Sequence, residues 1–162
     1  MSRRFESSYP EHQIYEDCKA LHNGAGAVAS VTEDGNGAAV QIPGNVRGVI
    51  GHLDLTEAGD NVLDLLDVFI QTWFPMPGFP ALGRWVDVMH FTQLTGTTAT
   101  DIREYMKVNI SLAQAAFETV AGGALAEATI RNIIGERWRA RWEVFDGGGT
   151  HTFTFNVHLH PT

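Results

Sequence analysis

The amino-acid sequence predicts a mainly β fold, an antiparallel β-sandwich or jelly roll with an extended N-terminal arm and at most one short helix. Three observations lead there. Between Arg137 and Val144 the residues alternate strictly, with Arg137, Arg139, Arg141 and Glu143 on one side and Trp138, Ala140, Trp142 and Val144 on the other. Strand side chains alternate between faces, whereas a helix would scatter these arginines around its circumference. The run Thr152 to His160 alternates in the same way, setting Phe153, Phe155, Val157 and Leu159 against Thr152, Thr154, Asn156, His158 and His160. Finally, 17 glycines and 6 prolines, clustered at Gly35-Asn36-Gly37, Gly122-Gly123 and Gly147-Gly148-Gly149, cut the chain into short segments. That is the punctuation of many strands and turns.

In chain order, residues 1–26 form the arm and 27–162 the sandwich domain. The arm is polar with scattered aromatics. It reads either as a frayed terminus or as an extension whose Tyr9 and Tyr15 dock on a neighbouring subunit. Glu16–His22 is polar and not strand-like. Strands are expected at Ala27–Thr32 and Ala38–Ile42, hinged at Gly35-Asn36-Gly37, and at Val46–Leu55. Asp60–Phe74 fits helical spacing through Val62, Leu65, Leu66, Phe69 and Ile70. Its second half, however, is β-branched and aromatic, with Leu66, Val68, Ile70 and Thr72 on one face. A strand is favoured, because Pro75, Pro77, Gly78 and Pro80 then make a loop and Trp85–Phe91 returns as its partner. Arg103–Ser111 again has a period of two, and Leu112–Val120 is the place for one short helix. Arg137–Val144 and Phe153–Leu159, joined through Asp146-Gly147-Gly148-Gly149, are expected to pair as a β-hairpin.

Composition excludes several classes. Of 162 residues, 19 are Asp or Glu and 11 Lys or Arg, a net charge of −8, which opposes a dedicated nucleic-acid-coating role. A hydrophobic share of 44% is enough to fill a core. No apolar stretch approaches the roughly 18–20 residues that span a bilayer as a helix, so no membrane partner is expected. No apolar region follows Arg3-Arg4, so no signal peptide is expected. A single cysteine, Cys18, leaves no intramolecular disulfide and no multi-thiolate metal site.

Motifs for chemistry are weak. Gly24-Ala25-Gly26-Ala27-Val28-Ala29 matches part of a dinucleotide fingerprint, but it lacks the strand before and the helix after that would present pyrophosphate. His158 and His160 share a strand face, with His151 near in sequence; two imidazoles at i and i+2 still lack a third metal ligand. No metal or other cofactor is therefore expected. Asp54, Glu57, Asp60, Asp64 and Asp67 form an acidic run without the spacing of a calcium loop or a partner to shift a pKa. No nucleophile elbow occurs. No catalytic site is expected. The charges are unevenly spread. Residues 54–101 carry 7 acidic and 1 basic side chains, and 102–162 carry 6 of each. Arg137, Arg139 and Arg141 in register, with Asp60 and Asp64 in the acidic stretch, are candidates for complementary surfaces between subunits. Trp73 and Phe74, beside the Pro-rich loop, are expected at the surface as binding residues, whereas alternation sends Trp138 and Trp142 inward.

Four segments together resemble small tailed-bacteriophage virion proteins: Leu66–Thr72, Trp85–Gln93, Gly135–Trp142 and Phe153–Val157. The resemblance covers roughly Val46 to Pro161 and leaves the arm unmatched; it departs at Trp73–Leu82, where a Pro-rich aromatic loop replaces a polar Gly/Ser turn. It implies a non-enzymatic structural subunit, a head decoration (cement) protein or a neck or tail component. Such a subunit is made in the bacterial host cytoplasm, forms homo-oligomers and binds major capsid or tail and neck proteins of the virion. The alternative from a different class is a carbohydrate-binding β-sandwich module of a phage or bacterial surface protein, with Trp73 and Phe74 at the glycan.

Overall fold

In the computed structural model the described residues are 18–23, 30–42, 46–58, 61–76, 79–98, 102–109, 125–148 and 152–162. They contain twelve strands: β1 (Lys19–Asn23), β2 (Ser30–Val31), β3 (Gly35–Asn36), β4 (Val40–Gln41), β5 (Gly48–Glu57), β6 (Leu65–Met76), β7 (Phe79–His90), β8 (Leu94–Thr95), β9 (Ile102–Asn109), β10 (Thr129–Ile130), β11 (Arg137–Phe145) and β12 (Phe153–Pro161). One antiparallel sheet has the order β1-β12-β5-β9, with β2 also on β12; the other has β10-β7-β6-β11-β3, with β4 on β11 and β8 on β6. The mainly β sandwich expected from the alternation is the fold observed.

The inner faces are the ones alternation selects. Val49, Leu53 and Leu55 of β5 and Phe153, Phe155, Val157 and Leu159 of β12 face Leu66, Val68 and Ile70 of β6 and Trp138 and Ala140 of β11; all are buried. The two sheets come close together at Gly51. A Cβ there would collide with Met89 Sδ and the Ile70 Cδ1 methyl of the opposite sheet. Overpacking a filled core costs about 1–3 kcal/mol. Gly51→Val is therefore expected to lower unfolding stability by about 2–3 kcal/mol, read from the urea midpoint at unchanged slope; an unaltered midpoint would refute this packing.

Several expectations are corrected. β11 and β12 do not form a hairpin. β11 pairs with β6, β3 and β4, and β12 with β1, β5 and β2, so the Gly-rich segment between them turns the chain from one sheet to the other. Their apolar faces meet across the core instead, Trp142 edge-on to Phe155 at 5.7 Å. The Pro-rich stretch is not a broad loop: β6 runs through Pro75 and β7 through Pro80, with a register shift at Pro75/Met76. Proline lacks a ladder donor and is tolerated at a strand end or bulge. Gly35-Asn36 is not a hinge; it is a short strand held against β11, and Gly37 N–H donates to the Ala140 carbonyl at 3.0 Å. Glu16–His22 is expected to be non-strand, yet Lys19–Asn23, which overlaps it, pairs with β12 and buries Leu21. Asp60–Phe74 splits: the strand begins at Leu65 and pairs with β7 as expected. The helix expected at 112–120 lies outside the described residues.

Candidate functional site

The outer face of the second sheet gathers four of the residues singled out from sequence, Arg137, Arg139, Arg141 and Trp73. Alternation on β11 aims Arg137, Arg139 and Arg141 outward. β6 presents Asp67, Phe69, Gln71 and Trp73 beside them. β7 adds Trp85 and Asp87 and, after a register shift at Ile70/Gln71, His90 opposite Phe69. The guanidinium carbon of Arg137 lies 5.6 Å from the Trp73 ring centre and 5.7 Å from that of Trp85. Arg139 sits 4.4 Å above Trp85, and Arg141 3.9 Å above Phe69. Trp73 and Trp85 meet edge to face at 5.4 Å. Guanidinium over an aromatic face is attractive, and more so where water is thinned out.

Hydrogen bonds tie these layers together. Arg139 Nε donates to Gln71 Oε1 at 2.8 Å, and Gln71 Nε2 donates to Asp87 Oδ1 at 2.7 Å. Arg141 Nη2 lies 3.4 Å from Asp87 Oδ2, its Nη1 bonds Glu143, and Arg131 Nη1 donates to the Asp87 carbonyl at 2.9 Å. Burial, then the neighbouring Arg141 charge, press the Arg139 pKa down against the pull of Asp87. Asp87 is the anion that lets two guanidinium groups share one face.

At the end of this ladder His90 is buried. Its Nε2 lies 3.0 Å from Asp67 Oδ1 and its Nδ1 2.7 Å from the Leu125 carbonyl. Both partners are acceptors, so both bonds form only when the ring carries two N–H groups and is cationic. Burial alone would lower the His90 pKa. The Asp67 and Leu125 hydrogen bonds and the charges of Asp67 and Glu127 outweigh it and leave it raised. Burial likewise pushes Asp67 up, but hydrogen bonds from His90 and Gln93, with the charges of His90 and Arg141, bring it below the ordinary carboxylate range. Phe69 closes the other side, stacked on His90 at 4.0 Å.

Comparison with protein-family models, curated proteins and solved structures finds no match to this chain. Fold and side-chain geometry therefore carry the functional reading.

The residues expected from sequence are dispersed as follows. Arg137, Arg139, Arg141 and Trp73 belong to the ladder, while Phe74 is exposed at its edge. Asp64 is corrected as a surface candidate: it is fully buried and clasps a turn, its Oδ1 accepting from Gly147 N–H at 3.0 Å and its carbonyl from Gly96 N–H at 2.9 Å. Asp60, Tyr9, Tyr15 and His151 lie outside the described residues. His158 and His160 are on the outer face of the first sheet, His158 directly opposite His52 of β5 and His160 opposite Ile50. The sequence reading missed His52, Gln71, Asp87 and His90. The signal for Gln71 and Asp87 was polar residues at outward positions of otherwise apolar strands; nothing local to His52 announces its neighbours.

Proposed function

We propose that the protein is a non-catalytic structural subunit that associates with further copies of itself and attaches to a larger protein lattice. From the sequence resemblance, the lattice we propose is a tailed-bacteriophage particle, with the subunit serving as head decoration or as a neck or tail component. The observation carrying this reading is a set of exposed apolar side chains at one end of the second sheet. Val62 and Leu63 are each 59% exposed and Phe145 is 63% exposed. They are carried on a firmly tied corner: Phe145 pairs with Leu65, Leu63 packs against Gly147, Asn61 Nδ2 donates to the Gly148 carbonyl at 2.9 Å, and Asp64 clasps Gly147. Rigid clustered apolar side chains at a surface are what a self-complementary contact needs, since little ordering entropy opposes their burial.

The carbohydrate-binding alternative is less favoured by the geometry. Sugar rings stack on open indole faces, and here Arg137 and Arg139 already occupy the faces of Trp73 and Trp85.

Size-exclusion chromatography with light scattering, across a concentration series, tests the reading. An oligomer is expected for the natural chain, and Leu63→Asp with Phe145→Asp is expected to yield monomer with an unchanged far-UV spectrum. A natural chain that is monomeric throughout, or an oligomer indifferent to both changes, would sink self-association through this corner. Co-sedimentation of the natural chain with purified phage heads or tails then tests the lattice; failure to co-sediment with either removes the virion assignment.

A further inference from the structure

The arginine ladder ends where charge and hydrogen bonds are left over. Its inner rungs carry their own anions: Arg141 reaches Asp87 and Glu143, and Arg139 is tied through Gln71 to Asp87. The last rung has none. Arg137 is exposed at the start of β11, with the neutral Gln41 opposite it on β4 and its guanidinium against both Trp73 and Trp85. Among the described residues no carboxylate forms an ion pair with Arg137. In a chain of net charge −8, this is a local surplus of positive charge.

Unclaimed donors surround it. The two inward indoles are spoken for, Trp138 Nε1–H by the Gly135 carbonyl and Trp142 Nε1–H by the Glu33 carbonyl. The Trp73 and Trp85 indole N–H groups find no acceptor among the described residues, and neither does the Arg137 guanidinium. Arg139 gives its Nε–H to Gln71 and leaves both Nη groups without one. Indole and guanidinium nitrogens donate and do not accept, so the complement of this cluster is an acceptor-only, negatively charged group. Contact with two indoles also restrains the Arg137 side chain, so little ordering entropy remains to be lost when a ligand arrives.

We propose that this end of the ladder binds a carboxylate-bearing segment of a partner protein, with Arg137 as the main contact and Arg139, Trp73 and Trp85 as supporting donors. A planar guanidinium pairs with a carboxylate through two parallel hydrogen bonds, which gives direction as well as charge. A nucleic-acid backbone fits less well. Its closely spaced phosphates need a run of free cations, and here one arginine is free on an acidic chain. Phe145 of the apolar corner lies at the opposite end of β11, about 26 Å away along the strand. One subunit can therefore hold a copy of itself at one end of the sheet and an acidic neighbour at the other. In taking a protein as the source of the carboxylates, the inference rests on the lattice role proposed above.

An NMR titration of the ¹⁵N-labelled full-length chain with an acetylated, amidated tetraglutamate peptide tests this, beside tetraglutamine with the same ends and single-stranded oligothymidine. Tetraglutamate is expected to shift the Trp73 and Trp85 indole N–H and Arg137 Nε–H signals saturably, while those of Trp138 and Trp142, bonded inside, stay in place. Arg137→Gln is expected to weaken binding at least about tenfold, and Arg137→Lys to recover part of the loss. Trp85→Phe keeps an aromatic ring, removes one donor and should cost about threefold. Arg103→Gln, on the other sheet beside Asp54, should change nothing. Should an Arg137 variant fail to fold, raising the ionic strength over the natural chain supplies the check, since peptide affinity should fall. The monomeric Leu63→Asp, Phe145→Asp chain should bind the peptide equally well, so the corner and this site fail independently. No saturable shift, shifts that survive Arg137→Gln or high salt, equal shifts with tetraglutamine, or tighter binding of oligothymidine would each overturn the inference.

Discussion

Trp138→Ala is expected to destabilise the protein by about 3–5 kcal/mol, the range for emptying a buried indole position. Trp138 is fully buried near the start of β11, packed within the core between the sheets. Its Nε1–H donates to the Gly135 carbonyl at 2.6 Å. The substitution removes both the packing and that bond, and the rigid ladder on the other face of β11 hinders collapse into the void. For a domain of this size each kcal/mol is worth roughly 2–4 °C, so the melting temperature should fall by about 10 °C or more. Trp138→Phe separates the two contributions. It keeps most of the apolar surface and orphans the Gly135 carbonyl, and should cost only about 1–2 kcal/mol. Thermal and urea unfolding of the two variants measure this; equal losses would show that packing around the indole is not what holds β11 in place.

The second large effect concerns His90 and Asp67. Breaking a buried charge pair by removing one partner leaves the other without compensation, at a cost of about 3–5 kcal/mol. His90→Leu should lie near the lower figure, because Asp67 keeps its bond from Gln93 Nε2 at 2.9 Å and has 22% of its side chain exposed. The pH dependence gives the sign. The His90 pKa is raised, so its contribution is complete below the unfolded value of about 6.5 and fades as pH rises through the folded value. Asp67 is lowered, so its contribution is complete above about 3.9 and fades as pH falls through its folded value. The stability difference between the natural chain and His90→Leu is therefore expected to be greatest at about pH 5–6 and to shrink toward pH 9. His22, His52 and His158 act in the opposite sense. Burial lowers all three, so they withdraw stability as pH falls below about 6.5. They are common to both proteins and cancel in the difference. A difference that grows with rising pH would mean His90 is neutral in the fold.

Both effects involve β11, and they show how much of the molecule alternation alone could reveal. Which of Arg137 to Val144 point inward follows from a period of two, and Trp138 and Trp142 are buried as that rule demands. Phe153 to Leu159 obeys it equally well. The same rule is silent on which strand lies alongside. A Gly-rich connection between two half-apolar strands suits a hairpin, but it suits a crossing from one sheet to the other just as well. The choice rests on burial: with both apolar faces turned to one core, each strand finds its ladder partners elsewhere, β11 on Leu65–Thr72 and β12 on Val49–Glu57.

The sequence by itself determined the β class, most of the strands and the inward or outward sense of the side chains on the segments that alternate cleanly, Arg137–Val144 and Phe153–Leu159 above all, because those follow from local stereochemistry. Tertiary structure alone decided the neighbours. Arg139 meets Gln71 and Trp85, His90 meets Asp67 and Leu125, and His52 meets His158 across 106 positions of chain. Strand pairing is a long-range choice made by the summed burial of two sheets, and no short segment contains it. The arginine row was legible as a row. That the charge of Arg139 and Arg141 is absorbed by Asp87 and the planes of the row by Phe69, Trp73 and Trp85 became visible only when β6, β7 and β11 were side by side.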